Sequence, residues 1–117
     1  MLRRTVVDFQ LEKLKAYRKY YEDPWRYLRA IKEIVRRFDE NARVIVFGSF
    51  VRGDMKVDSD IDVLVITELA RDAWKIARLR VEIKRGIGEI SPFEVHIATP
   101  NEFESWYRRF IDKFVEV

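Results

Sequence analysis

Two short apolar runs, and the residues joining them, constrain this chain more than any other feature. Residues 43–47 read Arg-Val-Ile-Val-Phe, Gly48 and Ser49 follow at once, and a second run over residues 60–67 opens with Asp60, Ile61 and Asp62. β-Branched apolar stretches of this length, bounded by Gly and Asp, are strand signals. Side chains alternate along a strand, so Asp60 and Asp62 share one face while Ile61, Val63 and Val65 take the other. Neighbouring carboxylates on one face repel, and folding alone gives no reason to place them there. A divalent cation reverses that cost, because carboxylate oxygens are natural ligands of Mg²⁺. Gly48 and Ser49, placed directly after a strand, suit close approach of the backbone to a phosphate, with the serine adding a hydroxyl and an N–H. The stretch reads as a metal–phosphate site.

The remaining chain bounds the answer by exclusion. At 117 residues it is expected to form one domain, residues 1–117, with enough length for a core. No apolar run approaches the ~20 residues that span a bilayer, and no signal-peptide pattern opens the chain, so a cytoplasmic protein with no membrane role is expected. With no cysteine, disulfides, thiolate catalysis and Cys-ligated zinc are excluded, and a single histidine rules out a His-rich metal site. Hard, oxygen-ligated metals remain. The net charge of +3 is uneven: residues 1–40 hold 11 basic and 7 acidic side chains, residues 41–68 hold 3 and 5. An acidic site inside a basic frame suits nucleotide phosphates, an RNA or an acidic protein. Direct nucleic-acid binding rests on that balance alone and is the weakest reading.

Along the chain, residues 5–22 suit a helix with Val7, Leu11, Leu14, Tyr17 and Tyr21 as its buried stripe. Asp23 and Pro24 then restart a second helix, as N-cap and first helical residue, running to about Phe38. After the strand at 43–47 come a helical turn at 49–53, a loop over 54–59 and the strand at 60–67. Residues 69–85 form a third long helix, closed by Gly86 and Gly88. A third strand, 93–98, alternates Phe93, Val95 and Ile97 against Glu94 and His96. Thr99, Pro100 and Glu102 form a capping box that opens a last helix carrying Phe103, Trp106, Tyr107, Phe110 and Phe114. A helical pair over 1–40 and a strand–helix core over 41–117 make a small α/β or α+β fold: a three-stranded mixed sheet flanked by helices. Its sheet edges are hard to cover, which favours a partner or a second copy.

The spacing Gly48, Ser49, Arg52, Gly53, then five residues, then Ser59, Asp60 and Asp62 resembles the signature of the DNA polymerase β-type nucleotidyltransferase superfamily. The short length is similar to its minimal nucleotidyltransferases. The resemblance covers the central third closely and the rest by element order. It implies a polymerase β-like fold in which Asp60 and Asp62 hold Mg²⁺, two ions in all, together with ATP or another nucleoside triphosphate. It implies a third carboxylate from a later strand that completes the metal site and helps deprotonate the acceptor. Glu94 is the candidate for that position, where the family usually has Asp; the alternative is an exposed strand carboxylate. Gly48 and Ser49 would cradle the β- and γ-phosphates. Arg52 would either contact the triphosphate or brace its loop, and Ser59 would cap or orient the loop before Asp60. His96 shares Glu94's face, either orienting an acceptor or serving as a hydrogen-bonded structural residue.

The resemblance also implies a role. Minimal nucleotidyltransferases commonly accompany a HEPN-domain protein, often a ribonuclease toxin. They silence it by transferring a nucleoside monophosphate, AMP from ATP, onto a hydroxyl. The alternative is an antitoxin acting by complex formation alone. For a transferase the acceptor is expected on another chain, since 117 residues leave little room for an acceptor-binding domain.

Overall fold

The computed structural model describes residues 5–117. Helix α1 (Val6–Glu22) begins at a capping box in which Thr5 and Asp8 satisfy each other's backbone N–H groups. Helix α2 (Pro24–Arg36) starts at Pro24 as expected, although the Asp23 side chain makes no capping bond. Strand β1 (Arg43–Phe47) leads through a single helical turn, α3 (Ser49–Arg52), and a loop to β2 (Ile61–Ile66). A 3-10 turn (Glu68–Arg71) precedes α4 (Ala73–Ile87). Asp72 is the reason for that division: its carboxylate accepts the N–H groups of Trp74 and Lys75 and restarts the helix, so the single helix expected over 69–85 becomes two elements. Then follow β3 (Phe93–Ala98), α5 (Pro100–Ser105), a 3-10 turn (Tyr107–Arg109) and β4 (Phe114–Glu116).

The sheet has four strands in the order β3-β2-β1-β4, not three. It is mixed: β2 runs antiparallel to β1 and parallel to β3, and β4 joins antiparallel to β1. The correction falls in the aromatic tail. The expected long last helix stops at Ser105, because Trp106 leaves helical geometry at φ −122°, ψ −62°. Phe114 then lies opposite Phe47, and a two-bonded Arg43–Glu116 pair fastens the new edge strand to β1. Lys32 of α2 donates to the Val117 carbonyl at 2.7 Å, and Val117 N–H donates to the Val44 carbonyl at 2.8 Å.

Strand alternation sorts the core. Val44, Val46, Ile61, Val63, Val65 and Phe93 face α2 and α4, packing on Leu28, Ile31, Val35, Leu79 and Ile83. The opposite face buries Ile45, Leu64, Ile66 and Ala98 under Phe103 and Ile111. Tyr17 and Tyr20 are buried, but Val7 and Leu11 are 61% and 50% exposed, so the outer half of the α1 stripe meets solvent instead of core. No helix among the described residues is long and apolar enough to cross a membrane.

Candidate active site

The second sheet face is covered at one end only. α5 and the segment after it seal Leu64, Ile66 and Ala98, and at the other end Glu94 is exposed while Asp62 and His96 are half-buried. Parallel pairing of β2 with β3 sets Asp62 opposite Glu94 and Leu64 opposite His96. One ligand atom from each of Asp62, Glu94 and His96 lies within 4.8 Å of the other two. His96 Nε2 stands 3.6 Å from Glu94 Oε1. Partial burial, followed by the Glu94 charge, pushes the Asp62 carboxyl above its ordinary value, with a hydrogen bond to Glu94 and the charge of Asp60 adding to the rise and His96 opposing it. Burial and the neighbouring carboxylates thus both disfavour the charged form of Asp62, a cost that a bound cation would offset.

Gly48 explains how the backbone reaches this cluster. It follows Phe47, the β1 residue paired with Asp62, and turns the chain at φ 77°, ψ −154° into α3. A Cβ at Gly48 would lie 2.2 Å from Asp62 Oδ2, inside van der Waals contact. The missing side chain is therefore the space that Asp62 occupies. The turn itself is anchored, because Phe50 and Val51 pack on the main core and Phe50 meets Trp25 with ring centroids 5.9 Å apart. Ser49 opens α3 and stands partly exposed beside this turn. Arg52 is held loosely, its Nε 3.4 Å from Asp54 Oδ2 with both side chains about half exposed.

The loop before β2 is organised by its own side chains. Ser59 Oγ accepts from Lys56 N–H at 2.7 Å, the loop-capping arrangement expected of it. Its carbonyl accepts from the Tyr21 hydroxyl of α1 at 2.6 Å. Burial, then the neighbouring Tyr17, Asp60 and Asp58, pushes the Tyr21 hydroxyl up to about 12, so it stays a donor across the physiological range. Asp60 is exposed, precedes β2 and lies outside the cluster of three. Two contributors were not readable as such in the sequence. Tyr21 looked like a helix-stripe residue, and the pairing of His96 with Glu94 depends on side-chain approach that strand alternation only permits.

Asp62 and Glu94 supply carboxylate oxygens, His96 supplies an imidazole nitrogen, and their ligand atoms converge from adjacent strands, so the donor set fits a divalent cation. With a glycine turn beside it, the cluster is the candidate active site. The profile of the nucleotidyltransferase domain matches residues 28–115. One solved structure, provisionally named a nucleotidyltransferase, is 33% identical to this chain with a TM-score of 0.64, covering 74% of this chain and 92% of its own. A second, from Sulfolobus solfataricus and named in the same provisional way, shares the fold at 22% identity and a TM-score of 0.51, covering 82% and 83%. No protein of curated function matches. The chain belongs to the nucleotidyltransferase domain family, whose members transfer nucleoside monophosphates.

Proposed function

We propose that the protein is a divalent-cation-dependent nucleotidyltransferase that moves AMP from ATP to a hydroxyl of a partner protein. We propose further that it acts in the cytoplasm as the antitoxin of a HEPN-domain toxin. The observation that carries the catalytic reading is the Asp62–Glu94 pair, set side by side at the partly enclosed end of the sheet face with Gly48 closed against Asp62. In this reading Asp60, Asp62 and Glu94 hold Mg²⁺, which supplies charge neutralisation at the triphosphate. Gly48 and Ser49 receive the β- and γ-phosphates, and Arg52, only loosely tied to Asp54, turns toward them. The acceptor oxygen attacks the α-phosphorus, the bond to the β-phosphate oxygen breaks and pyrophosphate leaves. The hydroxyl proton passes to the Glu94 carboxylate. Most of the protein's contribution is positioning and electrostatic.

Intact-mass spectrometry tests this. The protein is incubated with each NTP, Mg²⁺ and the product of the neighbouring gene, beside an Asp60→Asn, Asp62→Asn double variant. The expected result is one nucleoside monophosphate added to the partner by wild type and not by the variant. A stable complex with no adduct, formed equally by both, would replace catalysis with neutralisation by binding alone.

A further inference from the structure

We propose that His96 is a direct nitrogen ligand of the divalent ion held by Asp62 and Glu94, and that the site consequently selects Mn²⁺ over Mg²⁺. The proposal rests on the metal-dependent reading above and sharpens it to the identity of the ion. The ligand atoms of all three residues lie within 4.8 Å of one another, and Asp60 is not among them. His96 is partly exposed and directs Nε2 toward Glu94 Oε1, 3.6 Å away. Ligands in neighbouring positions on an octahedral ion with bonds of about 2.1 Å stand roughly 3 Å apart. A small side-chain adjustment therefore brings the three into one coordination sphere.

The ring is held at that place. The centroid of Phe47 lies 6.0 Å from it and that of Tyr107 lies 6.4 Å away. Its strand position, one pleat from Glu94 toward the covered end of the face, prevents it from swinging to the far side of the sheet. Mg²⁺ takes oxygen donors and retains its water, whereas imidazole suits transition ions. Two carboxylates with one imidazole lie between these preferences. Mn²⁺ accepts both donor types and the octahedral, oxygen-rich surroundings a triphosphate creates. Mg²⁺ gains nothing from the nitrogen.

Because the chain contains a single histidine, one labelled amino acid gives an unambiguous readout. Untagged wild-type protein carrying either natural-abundance or ¹⁵N-labelled histidine is loaded with Mn²⁺. Electron spin echo envelope modulation is recorded with and without a non-hydrolysable ATP analogue, and calorimetry gives Mn²⁺ and Mg²⁺ affinities. The expected spectrum shows directly bound imidazole nitrogen that changes with the label. His96→Gln should lose that coupling and weaken Mn²⁺ by at least roughly 10–100-fold, the loss that follows removal of groups that merely orient metal ligands, while Mg²⁺ affinity stays nearly constant. Manganese bound in an Asp62-dependent way without imidazole coupling overturns the proposal and leaves the nucleotidyltransferase reading intact. Equal wild-type affinities for the two ions overturn the selectivity. Absence of any divalent binding, with or without the analogue, overturns both the proposal and the metal-dependent reading beneath it. The wild-type spectra decide even if His96→Gln fails to fold.

Discussion

Replacing Gly48 with alanine separates two costs that a glycine turn can conceal. At φ 77°, ψ −154° the residue occupies a backbone region used almost only by glycine, and another residue there pays about 1–3 kcal/mol of strain. Space adds a second cost, because the new Cβ would stand 2.2 Å from Asp62 Oδ2 and 3.2 Å from its carboxyl carbon. Ordinary contact requires the carboxylate oxygen to retreat by about 1 Å. It cannot carry its backbone along, since Asp62 is paired with Phe47 on one side and Glu94 on the other. Gly53 is the control: it sits at φ 82°, ψ 14°, yet a Cβ there meets nothing within 4 Å. Left-handed backbone without a clash costs roughly 1–2 kcal/mol. Both variants should therefore melt on the order of 5–10 °C below wild type. Only Gly48→Ala should also lose divalent affinity and about 100-fold in transfer rate, the penalty typical of a 1 Å displacement at a reacting centre. Circular dichroism melts with calorimetric Mn²⁺ titration measure the two effects separately. Wild-type metal affinity in Gly48→Ala, or equal metal losses in both variants, would refute the claim that Gly48 exists to admit Asp62.

Three further perturbations address the surroundings of the site. The folded state raises the Asp62 proton affinity, so its contribution favours folding at low pH and is lost as pH rises from the ordinary carboxylate value of about 4 through the raised one. Asp62→Asn should therefore gain thermal stability relative to wild type at pH 7 and lose that advantage near pH 4, and an unchanged difference across the range would contradict this. Tyr21→Phe removes the 2.6 Å donor to the Ser59 carbonyl. The expected loss is about 1 kcal/mol, with faster hydrogen exchange at Asp60 and its neighbours; unchanged exchange there would show that Tyr21 does not hold the loop. Glu116 is lowered by its hydrogen bonds from Arg43, so its stabilisation is present above the unfolded value and fades as pH falls through the folded one. Because the pair is nearly half exposed, Glu116→Ala should cost under about 1 kcal/mol at pH 7 and less at pH 3, compared by urea denaturation. A larger loss at pH 3 than at pH 7 would reverse the sign.

What could be read in the sequence was whatever local chemistry decides. Strands β1 and β3 begin and end where their apolar alternation does, and Pro24 and the Thr99–Glu102 capping box start their helices as expected. Alternation alone placed Glu94 and His96 on one face, opposite Phe93 and Val95. The fourth strand was not legible, because Phe114–Glu116 is three residues long and its stability comes from partners at Ile45–Phe47. The aromatic spacing from Phe103 to Phe114 imitates a helix stripe, and only the break at Trp106 shows otherwise. Val7 and Leu11 failed in the opposite sense: their helical period is real, but among the described residues they stay exposed. In the site, residue types were legible and approach was not. Contact between Asp62 and Glu94 depends on the parallel register of two strands roughly 30 residues apart in the chain, which no local signal sets.

The placement of the site on the sheet bears on what it can accept. One surface groove runs between α4 and β3 beside Arg80, Lys84 and Ser91, and another along α1 beside Leu14, Tyr21 and Val57. The segment that could have roofed the carboxylates, from α5 to β4, instead spends its apolar side chains on Ile45, Leu64, Ile66 and Ala98. Glu94 is exposed and Asp62 and His96 are half-buried, with the rings of Phe47 and Tyr107 beside His96, so this end of the face is only partly enclosed. A small acceptor would have few groups to orient it there, and orientation is the larger part of what such a site contributes to rate. In the proposed reading the partner protein would complete the enclosure, excluding water as it docks. In that reading a protein acceptor is preferred over a free metabolite. Activity on free alcohols or sugars at rates matching a protein partner would count against that preference.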